Sequence, residues 1–165
     1  GGKLWLRDEE GNAVTESDVI GELIYEGENV TLGYAETAED LEKDDERGGV
    51  LETGDMAKCD SDGYFYIVGR KKRFLKIFGN RVNLDEAERM IKEEFTELDC
   101  ACAGLDDKLY VFVTIQEDRT IQAVKRFLAQ KTGLNPTAFS VKAIDKLPKN
   151  EAGKTLYKNL EMFYD

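Results

Sequence analysis

The chain has 165 residues, with 23 Lys and Arg against 34 Asp and Glu, so its formal net charge is −11. It contains no histidine, which excludes a Ser-His-Asp triad, a Cys-His pair or a histidine-containing zinc site built from this chain. The acidic balance argues against a general nucleic-acid binder, and no apolar run approaches the roughly 18–20 residues of a membrane span. The three cysteines, Cys59, Cys100 and Cys102, make no disulfide framework. We therefore expect reduced, structural thiols in a cytoplasmic protein.

The first part of the chain is predicted to be β-structure. Short runs that alternate apolar and polar residues, or are rich in β-formers, are separated by turn residues. Strands are therefore predicted at residues 3–7, 21–25, 56–59 and 64–68. The last two should form a hairpin around the turn at residues 60–63. Residues 36–47 include seven acidic side chains and are expected to form a solvated loop or a short helix.

The rest of the chain is predicted to mix helices and strands. Asn83 should cap a helix, with Glu86 completing a capping-box-like pair, and apolar residues at helical spacing continue as far as Leu98. A second helix should end at Gly133, the usual residue after a helix C-terminus. Strands are predicted at residues 109–115 and 138–144, followed by a polar loop at 146–154 and a short helix.

A boundary between the two parts is predicted near residue 70. Five positive charges lie within seven residues there: Arg70, Lys71, Lys72, Arg73 and Lys76. Two glycines, Gly69 and Gly79, flank a short predicted strand and give the backbone freedom at both ends. Such a cluster, taken alone, is more often a solvated surface than a site. The part before the boundary is small and should need further sheet partners.

Two other segments could carry chemistry. Thr53-Gly54-Asp55 places a short acid after a glycine, where it could accept hydrogen bonds from the vicinal hydroxyls of a ribose, although a turn aspartate is the simpler interpretation. Gly153-Lys154-Thr155 invites a phosphate-loop interpretation. We reject it, because the glycine required five residues earlier is Pro148 here. A lone lysine in such a loop is usually solvated.

Taken together and in order, these segments resemble the C-terminal third of the AMP-forming adenylating enzymes. This family comprises acyl-CoA synthetases, peptide-synthetase adenylation domains and firefly-type luciferases, and the resemblance covers almost the whole chain. It rests on residues 21–34 (similar to GELxxxGxxVxxGY), 53–55 (TGD), 69–86 (GRxDxxxKxxGxRxxxxEIE) and 147–154 (LPxTxxGK).

The resemblance implies an α+β chain. Residues 1–68 would be the last β part of a large N-terminal domain's β-barrel, residues 69–72 the hinge, and residues 73–165 a small mobile domain with a short sheet flanked by helices. The chain starts at Gly1 without a methionine, and we interpret it as part of a longer protein. The family's phosphate-gripping loop, acyl pocket and acidic metal residue are not found here, so the chain alone should be inactive.

The resemblance also implies roles in the first half-reaction. Asp55 would bind the ribose hydroxyls of ATP or AMP, and Arg70 would contact the nucleotide near the ribose. Lys154 would be catalytic, reaching the α-phosphate and the substrate carboxylate during adenylation. Lys72 would be the hinge residue. Many family members have Asp there and some have Lys.

The second half-reaction involves a different loop. Lys76 would be catalytic in thioester formation, and Gly79 would let the thiol arm of the acceptor pass close to the backbone. The implied cofactors are ATP or AMP with Mg²⁺, held mainly outside this chain, and CoA or phosphopantetheine as the thiol. The implied partners are the N-terminal adenylating domain, a carboxylic acid, and CoA or a carrier protein. Two alternatives are a non-catalytic nucleotide-binding or interaction module that keeps this fold and an unrelated small α+β domain.

Overall fold

The computed structural model describes residues 1–164 and is α+β, as predicted. Contacts between Cα atoms divide the chain into two compact units, the first comprising Gly1–Lys72 and the second beginning at Arg73. The strands are β1 Lys3–Arg7, β2 Ile20–Glu26, β3 Val50–Cys59, β4 Phe65–Arg70, β5 Phe74–Ile77, β6 Asn80–Asn83, β7 Cys100–Leu105, β8 Lys108–Val113 and β9 Phe139–Ala143, and the α-helices are α1 Leu84–Glu94 and α2 Asp118–Thr132.

The first unit is an open antiparallel sheet of four strands in the order β1-β2-β3-β4. Strand β3 begins at Val50, earlier than the sequence predicted, and forms the expected hairpin with β4. One face buries a small core of Leu6, Leu23 and Ala57. The acidic segment 36–47 is mostly exposed and contains one short 3₁₀ turn, which confirms its prediction as a solvated segment.

The second unit contains a β5–β6 hairpin and a three-stranded sheet in which β8 pairs antiparallel with β7 and parallel with β9. Side chains alternate across β8, because successive residues of a strand point to opposite faces. Leu109 and Val111 join the core that includes residues of α1 and α2. Tyr110 and Phe112 pack on the other face, together with Leu160 of a C-terminal 3₁₀ helix.

The helix boundaries follow local signals. The side chain of Asn83 accepts hydrogen bonds from the first turn of α1, as a capping residue should. Helix α1 ends at Glu94, so the prediction that it continues to Leu98 was wrong, although Leu98 is still buried. Helix α2 ends at Thr132 and is terminated by Gly133, as predicted, whose φ of 70° lies in the left-handed region.

Two strands were not predicted. Strand β7 has the sequence CACAGL, which consists mostly of small residues rather than the branched and aromatic residues typical of strands. Strand β6 is short and polar at three of its four positions. Both form because a neighbouring strand supplies hydrogen-bond partners, which a local pattern does not reveal.

All three cysteines are free. Burial raises the pKa of the Cys100 thiol to about 12 and holds that of Cys102 well above its usual range, so neither is poised to be a nucleophile. Among residues 1–164 no group of three or more Cys, Asp or Glu side chains is arranged to hold a metal ion. No helix in this range is long and apolar enough to cross a membrane.

Candidate functional site

Asp55 lies in an irregular part of β3, where its pairing with β2 shifts register. Gly54 has a φ of 70°, which glycine adopts without the steric cost of a Cβ atom. The Thr53 hydroxyl donates to the carbonyl of Leu23 at 2.7 Å and accepts from the Asp55 amide at 3.1 Å. Such irregularities change the direction in which a side chain points. The backbone conformation of residues 53–55 therefore sets the direction of the Asp55 carboxylate.

Asp55 and Arg70 are brought together by strand pairing. They are direct partners across β3 and β4, and Arg70 Nε lies 3.0 Å from Asp55 Oδ1. The Arg70 side chain is 66% exposed and that of Asp55 is 26% exposed. An exposed ion pair contributes about 0–1 kcal/mol, so it holds the carboxylate in place and still opens readily to a polar ligand.

The segment after Arg70 begins with a lysine that binds back to the sheet. Lys71 Nζ lies 2.7 Å from Oε2 of Glu22, and the same oxygen is 2.8 Å from Arg7 Nη2. Only 4% of Glu22 is exposed. Burial raises its pKa, but the hydrogen bonds from Arg7 and Lys71 outweigh burial and leave the pKa lower than usual. Glu22 is therefore a buried anion that two cations compensate.

Arg73, the first residue of the second unit, is bound on several sides. Its guanidinium contacts Asp85 Oδ1 at 2.6 Å, Glu88 Oε1 at 2.7 Å and the carbonyl of Cys102 at 2.8 Å. It also stacks over the ring of Tyr157, 3.8 Å from the centroid. Burial lowers the Arg73 pKa, but the hydrogen bond with Asp85 and the nearby charges outweigh burial and raise it.

Glu88 lies at the centre of this network. It is 8% exposed, and besides Arg73 it accepts from the amide of Cys102 at 2.8 Å and from the hydroxyl of Tyr157 at 3.2 Å. Burial is the main reason why the pKa of Tyr157 rises to about 12. The phenol therefore stays protonated at neutral pH and remains a hydrogen-bond donor to the carboxylate.

Lys76 and Gly79 lie in the β5–β6 hairpin, whose two-residue turn has positive φ at Phe78 and Gly79, 47° and 81°. The Lys76 amide donates to Asp106 Oδ1 at 2.9 Å, and its carbonyl accepts from the Asp107 amide at 2.9 Å. The Phe78 amide donates to Asp107 Oδ1 at 2.7 Å. Since a Cβ at Gly79 would meet no atom within 4 Å, the backbone angle and not packing favours glycine there.

Lys154 lies in a tight loop that closes through a bridge between Lys149 and Thr155. The Asn150 amide donates to the Lys154 carbonyl, and the Lys154 amide donates to the Asn150 side chain, both at 2.9 Å. Gly153 supplies the positive φ, 76°, that the loop requires. The Lys154 side chain is exposed, and within residues 1–164 its ammonium group makes no ion pair.

The structure thus distributes the predicted site residues over both units. The first unit carries Asp55, Arg70 and Lys72, and the second carries Lys76, Gly79 and Lys154. Sequence reasoning missed the binding partners Glu22, Glu88 and Tyr157. Glu88 had a detectable signal, because it lies in the helical stripe with Leu84, Ala87 and Ile91 where an apolar residue is expected.

The chain is similar in sequence and fold to CoA ligases. No protein-family model matches the chain. A long-chain-fatty-acid–CoA ligase from Yersinia pestis is 32% identical over 94% of this chain and 28% of that protein. A 4-coumarate–CoA ligase from Petroselinum crispum is 28% identical over 96% of this chain and 30% of that protein. The crystal structure of the anthranilate CoA ligase AuaEII, in complex with anthranoyl-AMP, matches 99% of this chain and 32% of that one with a TM-score of 0.68 and 26% identity.

These matches confirm the family that the motifs predicted: the chain is a relative of the AMP-forming adenylating enzymes along almost its whole length. It spans about a third of the length of the relatives that it matches. This coverage is consistent with the C-terminal portion that the motifs indicate.

Proposed function

We propose that this chain is the C-terminal portion of an ATP-dependent carboxylate–AMP ligase, which adenylates a carboxylic acid and then transfers the acyl group to a thiol. The observation that carries the proposal is the presence of Asp55, Arg70, Lys76 and Lys154 together in a chain that is similar to CoA ligases over at least 94% of its length. A non-catalytic module would not be expected to retain all four of these residues.

In the first half-reaction a carboxylate oxygen of the substrate attacks the α-phosphorus of ATP, and the bond to pyrophosphate breaks. Two anions approach each other, and negative charge builds on the phosphoryl oxygens. A fixed ammonium group about 4 Å away, here that of Lys154, stabilises such charge by about 4 kcal/mol at an effective dielectric near 20. That corresponds to about a thousandfold in rate.

This chemistry needs positioning and charge rather than a titrating base, so a chain without histidine is compatible with it. Asp55 would accept hydrogen bonds from the ribose hydroxyls, with Arg70 holding the carboxylate in place. Magnesium would enter with ATP and neutralise phosphate charge. Because the described residues offer no cluster of three ligands, we assign no magnesium ligand to this chain.

In the second half-reaction the thiol sulfur attacks the acyl carbonyl carbon, the bond to the AMP oxygen breaks, and the thiol proton is lost. The β5–β6 turn would approach the acceptor through Gly79, where a Cβ is absent and the surrounding space is open. Lys76 would act in this step. The acceptor is CoA or the phosphopantetheine arm of a carrier protein. The acidic chain slightly disfavours an acidic carrier protein, because like charges repel.

The test is ATP–pyrophosphate exchange with a panel of carboxylic acids, on the chain alone and on a protein in which an N-terminal adenylating domain precedes it. We expect exchange only from the longer protein. Robust exchange by the chain alone would contradict the proposal that a second domain is needed. Absence of exchange from both proteins with every acid would favour the non-catalytic module.

A further inference from the structure

The β5–β6 turn of the second unit, at residues 77–80, is bound by the turn between β7 and β8. Two exposed aspartates of the β7–β8 turn make these contacts. We propose that Asp106 and Asp107 are positioning residues for thioester formation, because they fix the backbone that carries Lys76 and Gly79. This role rests on the proposed function, whereas the restraint of the β5–β6 turn depends on the hydrogen bonds alone.

Three hydrogen bonds join the β7–β8 turn to the backbone of the β5–β6 hairpin. The Lys76 amide donates to Asp106 Oδ1 at 2.9 Å, and the Lys76 carbonyl accepts from the Asp107 amide at 2.9 Å. The Phe78 amide donates to Asp107 Oδ1 at 2.7 Å. Strand β5 has β6 as its strand partner in a two-stranded sheet. The β7–β8 turn therefore binds backbone groups of β5 that strand pairing does not use.

The backbone conformation of Phe78 explains why the β5–β6 turn needs this support. Its φ of 47° lies in the left-handed region, which a residue with a bulky side chain rarely adopts. The Phe78 side chain is 55% exposed, so its packing does little to stabilise this conformation. The hydrogen bond to Asp107 stabilises it, together with a longer one, 3.3 Å, from the Asn80 side chain to the Phe78 carbonyl. Without the Asp107 carboxylate, we expect the turn to leave this conformation more often.

Asp107 has an unusual backbone conformation of its own. Its φ is 66°, a left-handed value that aspartate tolerates better than most residues other than glycine. In this conformation Asp107 binds the β5–β6 hairpin twice, through its amide and through its carboxylate. A substitution that tests the carboxylate alone must therefore keep the left-handed conformation.

The hydrogen bonds also bear on the position of Lys76. Its neighbours Leu75 and Ile77 are buried in the core, so the Lys76 side chain lies on the exposed face of β5. A hairpin of two strands is marginally stable by itself, and β5 has only four residues. The place of the Lys76 side chain therefore depends on Asp106 and Asp107 as well as on the core.

The same hydrogen bonds leave Gly79 open. Both aspartates bind the backbone before Gly79, where an added Cβ would meet no atom within 4 Å. The Lys154 loop is bound by another residue, Asn150, through its side chain and its amide. Loss of an aspartate should therefore impair the second half-reaction and spare the first.

Amide hydrogen exchange, followed by NMR on the chain, tests the restraint without requiring activity. Asp107→Gly removes the carboxylate and keeps the left-handed conformation without a steric cost. It should speed hydrogen exchange at the Phe78 amide by about tenfold, because a bound amide exchanges only when its hydrogen bond opens. Asp107→Asn keeps an acceptor oxygen and should restore slow exchange. Unchanged hydrogen exchange at Phe78 in Asp107→Gly, or an equal increase at Val111 in the buried strand β8, would overturn the proposal.

A second pair of variants separates the β7–β8 turn from other exposed aspartates. Asp106→Ala should speed hydrogen exchange at the Lys76 amide, which then lacks its acceptor. Asp145 is a matched control, because it is exposed and accepts a hydrogen bond from the Gln116 side chain at 3.0 Å. Asp145→Ala should leave hydrogen exchange at Lys76 unchanged. An equal increase in the two variants would contradict a specific role of the β7–β8 turn.

Kinetics of the longer ligase test the consequence for catalysis. Asp107→Gly should lower single-turnover transfer from a preformed acyl-adenylate to the thiol by about tenfold, because the turn spends less time in its competent conformation. ATP–pyrophosphate exchange should be unaffected, and Asp107→Asn should restore transfer. A general structural defect would lower both half-reactions by the same factor, and that result would overturn the positioning role.

The two measurements distinguish failure of this proposal from failure of the proposed function. If the longer ligase shows no ATP–pyrophosphate exchange with any acid, the proposed function fails, and the role in thioester formation fails with it. Hydrogen exchange still decides in that case whether the aspartates restrain the β5–β6 turn. Faster hydrogen exchange at Phe78 with unchanged acyl transfer would refute the role in thioester formation alone.

Discussion

The two units hold their candidate site residues in different ways. In the first unit, Asp55 and Arg70 are fixed by the sheet itself, through direct pairing of their strands and a local irregularity at Gly54. In the second unit, Lys76 lies in strand β5 and pairs with Arg81, whereas Lys154 lies in a tight loop. Strand pairing therefore positions three of these four residues, and Lys154 depends on an irregular loop.

The turns of the second unit are nevertheless not loose. Carboxylates of the β7–β8 turn, Asp106 and Asp107, bind the backbone around Lys76, and the Asn150 side chain binds the backbone of Lys154. Side chains thus add to the support of the backbone around both lysines in the second unit. The comparison teaches that both units fix the backbone around their candidate site residues.

Among the substitutions that test this comparison, the one at Lys154 is expected to lower activity the most. Lys154→Ala should lower ATP–pyrophosphate exchange of the longer ligase by about a thousandfold, because the ammonium group no longer stabilises charge at the phosphate. Lys158→Ala, which removes another exposed lysine four residues later, should leave exchange unchanged. Equal rates in the two variants would remove Lys154 from the catalytic assignment.

A loss of about a hundredfold is expected for Lys76→Ala, but only in thioester formation. Because Lys76 lies in strand β5, in a different segment from Lys154, its removal should spare ATP–pyrophosphate exchange. Single-turnover transfer from a preformed acyl-adenylate measures the second step alone, and exchange measures the first. Loss by the same factor in both assays would contradict the division of roles between the two lysines.

A smaller effect is expected in the first unit. Asp55→Asn should raise the KM for ATP by about tenfold, since a hydrogen bond to a charged acceptor contributes about 1.5–3 kcal/mol. Asp62→Asn, on the exposed turn between β3 and β4, provides a control that should leave the KM unchanged. A fall in kcat without any change in KM would mean that Asp55 does not bind the nucleotide in the ground state.

The smallest expected effect concerns stability and pH. The pKa of Glu22 is lower in the folded chain than its usual 4.5, so its ionised form stabilises the fold above pH 4.5, and this contribution is lost as the pH falls through the lower, folded value. The difference in urea unfolding between the chain and Glu22→Gln should therefore be present at pH 7 and shrink as the pH falls through the folded pKa. A difference that does not shrink as the pH falls would mean that packing, and not charge, makes Glu22 important.

The sequence alone determined much of the fold. The β-branched and aromatic run of β8, the capping residue Asn83 and the terminating Gly133 are local signals, because each depends on neighbours within a few residues. The ordered motifs also sufficed to predict the family and the six candidate site residues. The assigned roles of these residues remain predictions until the variants are measured.

Only the tertiary structure decided which charges work together. The sequence presents Arg70, Lys71, Lys72 and Arg73 as one basic cluster, whereas in the structure Arg70 meets Asp55, Lys71 meets Glu22, Arg73 meets Glu88 and Lys72 stays exposed. Each partner lies 15 to 49 residues away in the chain. Strand register and burial determine which of these distant residues form ion pairs, and neither can be read from a local sequence pattern.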